Sequence, residues 1–377
     1  MPPSITAGQW NRTLLRRQHL LARADEDAIE VIDRLVGMQS QDPKAAFFGL
    51  QCRIEGFEPD ELDELLTDRE VVRMALLRGT VFLLDGADAR WIRPLAQPVL
   101  DGELRSAHAS KLASTTPAAV IDDARELLRD GPIGGDELGR ALAERHPGEK
   151  PSTLTGMARC ALPLVQVPPR GLWQGSGRPT YALLDDWIGP GEPALDGEEA
   201  RRELIRLYLR GFGPASVAAI GKWSGLKGLR PLVEQMEREW ELAAYTGPQG
   251  QTLYDLEGLD LADEDEPAPV RLIAPFDHVL VAQGDRARIA DDDLFARTVT
   301  PNGRSPGFVL IDGRLAGTWR IPPGTETVET DLFGTPSRGA RAELDEELSR
   351  LEEWVRGSRI DGAEPSDVTD PSADSGR

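Results

Sequence analysis

At 377 residues the chain is longer than one hydrophobic core usually serves, and its 40% apolar content contains no uninterrupted run approaching a membrane span, so a soluble protein of several small modules is expected. The formal net charge of −21 speaks against a uniformly basic nucleic-acid coat, but the acidity is segregated into Glu55–Glu70, Asp255–Glu266 and the stretch from Arg341 onward, leaving the rest nearly neutral. Two distant cysteines and four unclustered histidines without metal-ligand spacing predict reduced, buried thiols and no structural zinc. Met1-Pro2-Pro3-Ser4 leads straight into polar and basic residues, the pattern of a cytoplasmic protein without a signal peptide.

Residues 1–115 read as a first module. Met1 to Ala24 carries Arg12, Arg16, Arg17 and Arg23 and no acid. Asp25 to Met38 has helical spacing at Ile29, Ile32, Leu35 and Val36, with Gly37 as its stop. Gln39-Ser40-Gln41 follows, and Pro43 biases Asp42 away from the helical region. If the chain is extended from Met38 to Pro43, the two amides project to one side and together can hold a water molecule. The plainer alternative is that they cap the preceding helix or are simply solvated. Val81-Phe82-Leu83-Leu84, after Arg78-Gly79-Thr80, predicts a wing strand ending at Asp85-Gly86.

The second module, 116–192, has helices predicted at Val120–Arg129, Asp136–Arg145 and Ser152–Leu162, the last capped by Ser152 or Thr153. Strands at Leu164–Val167, Leu172-Trp173 and Thr180–Leu184 complete the helix, helix, helix, hairpin order of a winged helix. The third module, 193–262, repeats that order: Glu198–Arg210, a helix opening at Pro214 and running to Trp223, Leu229–Arg238, then strands Trp240–Ala244 and Thr252–Leu256. Residues 263–357 alternate short apolar runs with turns, Val270–Ile273, Val279–Val281, Phe308–Ile311 and Leu315–Trp319, and predict a small β-barrel with a closing helix at Leu344–Val355. Asp312-Gly313 reads as a two-residue hairpin. The tail 358–377 lacks apolar periodicity and is expected to be disordered. The fold class is therefore α+β: three tandem winged helices followed by a barrel.

No P-loop, Rossmann glycine pattern, HExxH or Ser-His-Asp order occurs. Instead, Arg16-Arg17-Gln18-His19-Leu20, Gly37 to Pro43, Arg78-Gly79-Thr80, Tyr208 to Pro214, Pro275-Phe276-Asp277 and Asp312 to Trp319 together resemble the AlkZ/YcaQ-like winged-helix DNA glycosylases. The Gln-x-Gln form is similar to the AlkZ-like branch, the other branch carrying Gln-x-Asp. The resemblance implies Gln39 and Gln41 as the catalytic motif. It also implies duplex DNA bearing bulky or cationic N7- or N3-alkylpurines, toxin adducts and interstrand crosslinks among them, as the partner. Glutamine is a poor general base, but an alkylated purine is already a cationic leaving group, so positioning a water and steadying an oxocarbenium-like sugar suffices. A monofunctional, cofactor-free, metal-free enzyme acting as a monomer is expected.

Arg16, Arg17 and Arg78 are candidates for phosphate contacts, against the alternative of surface ion pairs with the acidic run. His19 and Thr80 are further candidates for DNA contact, a hydrogen-bonded structural histidine being the plainer reading of His19. Asp42 is a candidate for orienting water or, more simply, a turn initiator. Two positions depart from the resembled pattern: Phe82 where many relatives have histidine, and Ser40 where an aliphatic residue is usual. A non-catalytic winged-helix regulator is the principal alternative, and a protein that sequesters the alkylating compound itself is a third.

Overall fold

The structure is a computed structural model in which residues 2–299 and 305–358 are described. It is built around a six-stranded antiparallel sheet of β1 (Met38–Gln39), β2 (Val71–Ala75), β3 (Val81–Asp85), β4 (Ile133–Gly134), β5 (Leu164–Val167) and β6 (Thr180–Leu183), ordered β1-β3-β2-β5-β6-β4. Every residue of β2 and β5 is buried, Arg73 and Gln166 included, these being the two central strands of the sheet. The hairpins expected for the first two modules are thus one sheet, joined where Arg73 pairs with Gln166 and Met74 with Val165.

The helices of the second module, Pro117–Leu128, Gly135–Arg145 and Pro151–Ala161, pack Val120, Leu138, Leu142, Leu154 and Met157 into a core of their own. The third of these opens with Pro151 at its first position after Lys150, so neither Ser152 nor Thr153 is its cap. The third module runs Gly197–Phe212, Val217–Ser224 and Arg230–Arg238, then the hairpin β7 (Leu242–Thr246) and β8 (Thr252–Leu256). Pro214 does not open its helix. Ser216 does, its hydroxyl accepting from the Ala219 amide at 3.1 Å, while the Pro214 carbonyl accepts the Trp10 indole N–H at 2.8 Å.

The C-terminal region corrects the barrel expectation. Strands β9 (Arg271–Ile273), β10 (Gly307–Ile311), β11 (Arg314–Arg320) and β12 (Glu329–Leu332) form an open sheet ordered β12-β11-β10-β9. Val279-Leu280-Val281, expected as a strand, is a tight turn, with the amides of Leu280 and Val281 both donating to the Asp277 carbonyl. The apolar face is covered by the helix Arg338–Gly357, which sets Leu344, Leu351 and Val355 against Val270, Leu272, Val309 and Trp319. A helix buries that face without strand closure. Asp312 and Gly313 both have positive φ, 49° and 69°, as the tight hairpin between β10 and β11 requires.

The expected tail lies outside the described residues except for Ser358. No helix among the described residues is long and apolar enough to cross a membrane. Both cysteines are free and buried.

Candidate active site

The Gln-x-Gln segment is placed by a helix that ends abruptly. The helix Ala28–Arg34 starts with a capping box between Asp27 and Glu30 and stops as Val36 and Gly37 take positive φ values of 56° and 77°. Gly37 is required there: a Cβ would lie 2.8 Å from the Leu83 carbonyl oxygen. This turn delivers the chain onto β3, where Met38 pairs with Leu83 and Gln39 with Phe82. The ladder continues one residue further, the Ser40 amide donating to the Val81 carbonyl at 2.8 Å. The chain then bends at Gln41 and Asp42, short of the extension to Pro43 expected from sequence. Asp42 initiates that turn, its carboxylate accepting from the Lys44 amide at 3.0 Å.

Alternation along the strand separates the side chains. Ser40 is buried against Arg73, which donates from Nε to the serine hydroxyl and from Nη2 to the serine carbonyl, both at 2.9 Å. Gln39 is half-buried, and its Oε1 accepts from Arg78 Nη2 at 3.0 Å and lies 3.3 Å from His278 Nε2. Gln41 is exposed, with only a long 3.4 Å contact from the Val81 amide to its Oε1. Neither glutamine caps the preceding helix.

Arg78 adopts a left-handed conformation, φ 57°, and its guanidinium also donates to the Trp223 carbonyl and stands over the Phe82 ring at 5.3 Å. Among the described residues no carboxylate lies within ion-pair distance of it, and burial lowers its pKa to about 10. The other named arginines are elsewhere. Arg17 is buried in a two-pronged pair with Asp255, at 2.7 and 2.8 Å, and Arg16 pairs with Glu266 at the surface, so both meet the acidic run. His19 Nε2 sits 3.3 Å from Glu26, with burial and then Arg34 lowering its pKa. The Thr80 hydroxyl donates to the Leu77 carbonyl at 3.1 Å. Of the residues singled out in the sequence, the fold brings Gln39, Gln41, Arg78 and Thr80 to one place, leaves Arg16 and Arg17 in ion pairs and sets His19 beside Glu26.

His278 is the residue that sequence reasoning missed. It follows the Pro275-Phe276-Asp277 segment, read as part of a barrel, and a left-handed Phe276 (φ 61°) turns it toward Gln39, 239 positions away in sequence. Its ring lies 5.1 Å from that of Phe82, and burial, then Arg78 and Arg53, push its pKa well below the ordinary imidazole value. A local signal existed only in the Asp277-His278 pair itself. Asp277 is held by Arg53 at 2.7 and 3.0 Å, and Arg53 also donates to Gln18 Oε1 at 3.2 Å. Gln18, Gln39, Asp277 and His278 line a cavity of about 20 Å³, room for one water molecule and far too small for a purine.

Glu103, His108 and Cys160 bring ligand atoms within 4.8 Å of one another, a donor set suited to a soft metal. The Arg159 guanidinium, however, pairs with Glu103 and stands 3.9 Å from the Cys160 sulfur, so a cation of the protein's own already serves two of the three donors.

The sequence family described as DNA glycosylase AlkZ-like matches residues 32–354. The interstrand DNA cross-link repair glycosylase of Streptomyces sahachiroi is 25% identical over 348 residues, spanning 85% of this chain and 88% of that relative. The solved structure of the Streptomyces sahachiroi DNA glycosylase AlkZ superposes with a TM-score of 0.76 at 20% identity, covering 95% of this chain and 98% of that one. At that identity the likeness speaks for a shared mixed helix-and-sheet fold.

Proposed function

This chain belongs to the AlkZ-like DNA glycosylase family, and from that premise we propose that it hydrolyses the N-glycosidic bond of cationic or bulky N7- and N3-alkylated purines in duplex DNA, interstrand crosslinks included. It acts as a single chain in the cytoplasm, by water-mediated, monofunctional chemistry. Gln39 and Gln41 orient the water. The observation that carries this reading is the make-up of the Gln39 niche: neutral amides, a neutral imidazole and a water-sized cavity whose lining carboxylate, Asp277, is taken up by Arg53. Such a site cannot deprotonate water strongly. It fits a substrate whose leaving group is already positively charged, where placing the nucleophile supplies most of the missing rate. The cross-link repair activity named for the Streptomyces sahachiroi relative makes crosslinked purines the first bulky substrate to try.

The test is base release from duplex DNA carrying N7-methylguanine, and from a bulky N7-guanine adduct, by wild type and by the Gln39→Ala/Gln41→Ala variant. Release above the spontaneous rate that vanishes in the variant supports the reading. Binding without release from either substrate would move the protein to the non-catalytic DNA readers.

A further inference from the structure

We infer that His278 is a positioning residue for Gln39, acting through Arg78, and that this linkage decides which end of the Gln39 amide meets the substrate. The inference rests on the glycosylase reading above.

Arginine has no acceptor, so the Gln39 atom 3.0 Å from Arg78 Nη2 is the carbonyl oxygen, and the amide nitrogen points away. The same Nη2 lies 3.0 Å from His278 Nε2, and its two hydrogens serve these two acceptors. A neutral imidazole has one free lone pair, and two donors compete for it: Arg78 at Nε2 and the Trp223 indole, 3.4 Å from Nδ1. The shorter, charge-assisted bond takes it, which places the ring hydrogen on Nδ1. The 3.3 Å between His278 Nε2 and Gln39 Oε1 is then the spacing of two acceptors bridged by one guanidinium nitrogen. With no carboxylate beside Arg78 among the described residues, His278, Gln39, the Trp223 carbonyl and the Phe82 face are what fix the guanidinium.

This divides the labour between the glutamines. Gln39 has its carbonyl turned to Arg78 and offers its NH2 group as a donor. Gln41 is exposed, and its carbonyl oxygen, held only by the long 3.4 Å contact from the Val81 amide, keeps its second lone pair for a further donor. A water between them donates one hydrogen to Gln41, accepts from Gln39 and keeps a lone pair for C1′ of the nucleotide. The C1′–N bond breaks with its electron pair going to the cationic base, which leaves neutral. The water oxygen bonds to C1′ and its surplus proton passes to solvent.

The experiment is single-turnover base release from a duplex with one N7-methylguanine, using the full chain, with duplex affinity and thermal unfolding measured alongside. His278→Leu is expected to lower the rate on the order of 10²-fold, the scale of a misplaced reacting group, with affinity unchanged. His278→Gln, whose side-chain oxygen reaches the position of Nε2 and accepts from Arg78 in its place, is expected to recover most of it. Gln39→Ala combined with His278→Leu is expected to be no slower than Gln39→Ala alone. The assignment is overturned if His278→Leu matches wild type, if the glutamine variant is as impaired as the leucine one, or if the two losses multiply. Should His278→Leu unfold below the assay temperature, Arg78→Lys carries the same test: a loss that disappears in the Gln39→Ala background supports the linkage, and an additive one overturns it. Wild-type protein that releases no base sinks the glycosylase reading itself, whereas active wild type with an indifferent His278→Leu sinks only the positioning role.

Discussion

Arg73 grips Ser40, the residue between the two glutamines, by its hydroxyl and its backbone carbonyl at once, at 2.9 Å each. Both residues are buried, burial lowers the arginine's pKa to about 10, and no carboxylate among the described residues lies within ion-pair distance of it. The grip therefore does two things: it satisfies a buried cation and it sets the segment that carries Gln39 and Gln41. Ser40→Ala should cost about 1–3 kcal/mol, the usual penalty for orphaning a buried charged donor, and slow base release by loosening β1. Denaturant unfolding and single-turnover release measure the two effects. A neutral outcome in both would mean that the hydroxyl is incidental.

Gly37 makes a complementary prediction from the other end of β1. At φ 77°, with the Leu83 carbonyl 2.8 Å from the place of a Cβ, Gly37→Ala combines backbone strain with a steric clash. It should destabilise by more than the ~1 kcal/mol that ordinary strain of this kind costs and abolish base release, because Gln39 loses its register with Phe82. Retained activity in a folded variant would show that the register is not needed.

Arg16 and Arg17 are adjacent in sequence and should behave in opposite ways. Asp255→Ala leaves Arg17 buried without its partner and should cost about 3–5 kcal/mol, with little change in the salt dependence of DNA binding. Arg16→Ala removes a partly exposed pair with Glu266 and should cost under about 1 kcal/mol. If Arg16 exchanges Glu266 for a phosphate on DNA, the salt slope of binding also falls by about one. Affinity measured across a salt series, beside a thermal melt, separates the two.

Asp63 should give the protein an acid-side gain in stability. Its carboxylate accepts the Trp173 amide at 2.8 Å, yet burial raises its pKa to about 6. The folded state then binds the proton more tightly than the unfolded one, whose aspartate titrates near ~3.9, so this contribution is full below pH ~4 and is lost as pH rises through ~6. Asp63→Asn should melt at or above the wild-type temperature at pH 7.5, and the difference should close by pH ~4. A variant less stable than wild type at pH 7.5 would show that the charged carboxylate is favourable there.

Much of the fold was legible because it is local. Thr252–Leu256 was expected as a strand and is β8, and the helices of the second module fall within three residues of their expected bounds, since apolar periodicity and proline or glycine punctuation act over a few residues. The barrel was misread because short apolar strands do not say whether their sheet closes. Here the run Val279–Val281 was drawn into a turn beside the site, and a helix covered the remaining face.

By itself the sequence determined the Gln-x-Gln motif, the glycine that ends the helix before it, the family, the helices of the second module and the element order of the third. Only the tertiary structure decided that Arg17 is buried with Asp255 while Arg78 has no carboxylate within ion-pair distance among the described residues, and that His278, 239 residues from Gln39, belongs to the same niche. Backbone preference and hydrophobic spacing are short-range and are written in neighbouring residues. The partner of a buried polar group is whichever donor or acceptor the packed chain brings within about 3 Å, and no spacing in the sequence encodes that meeting.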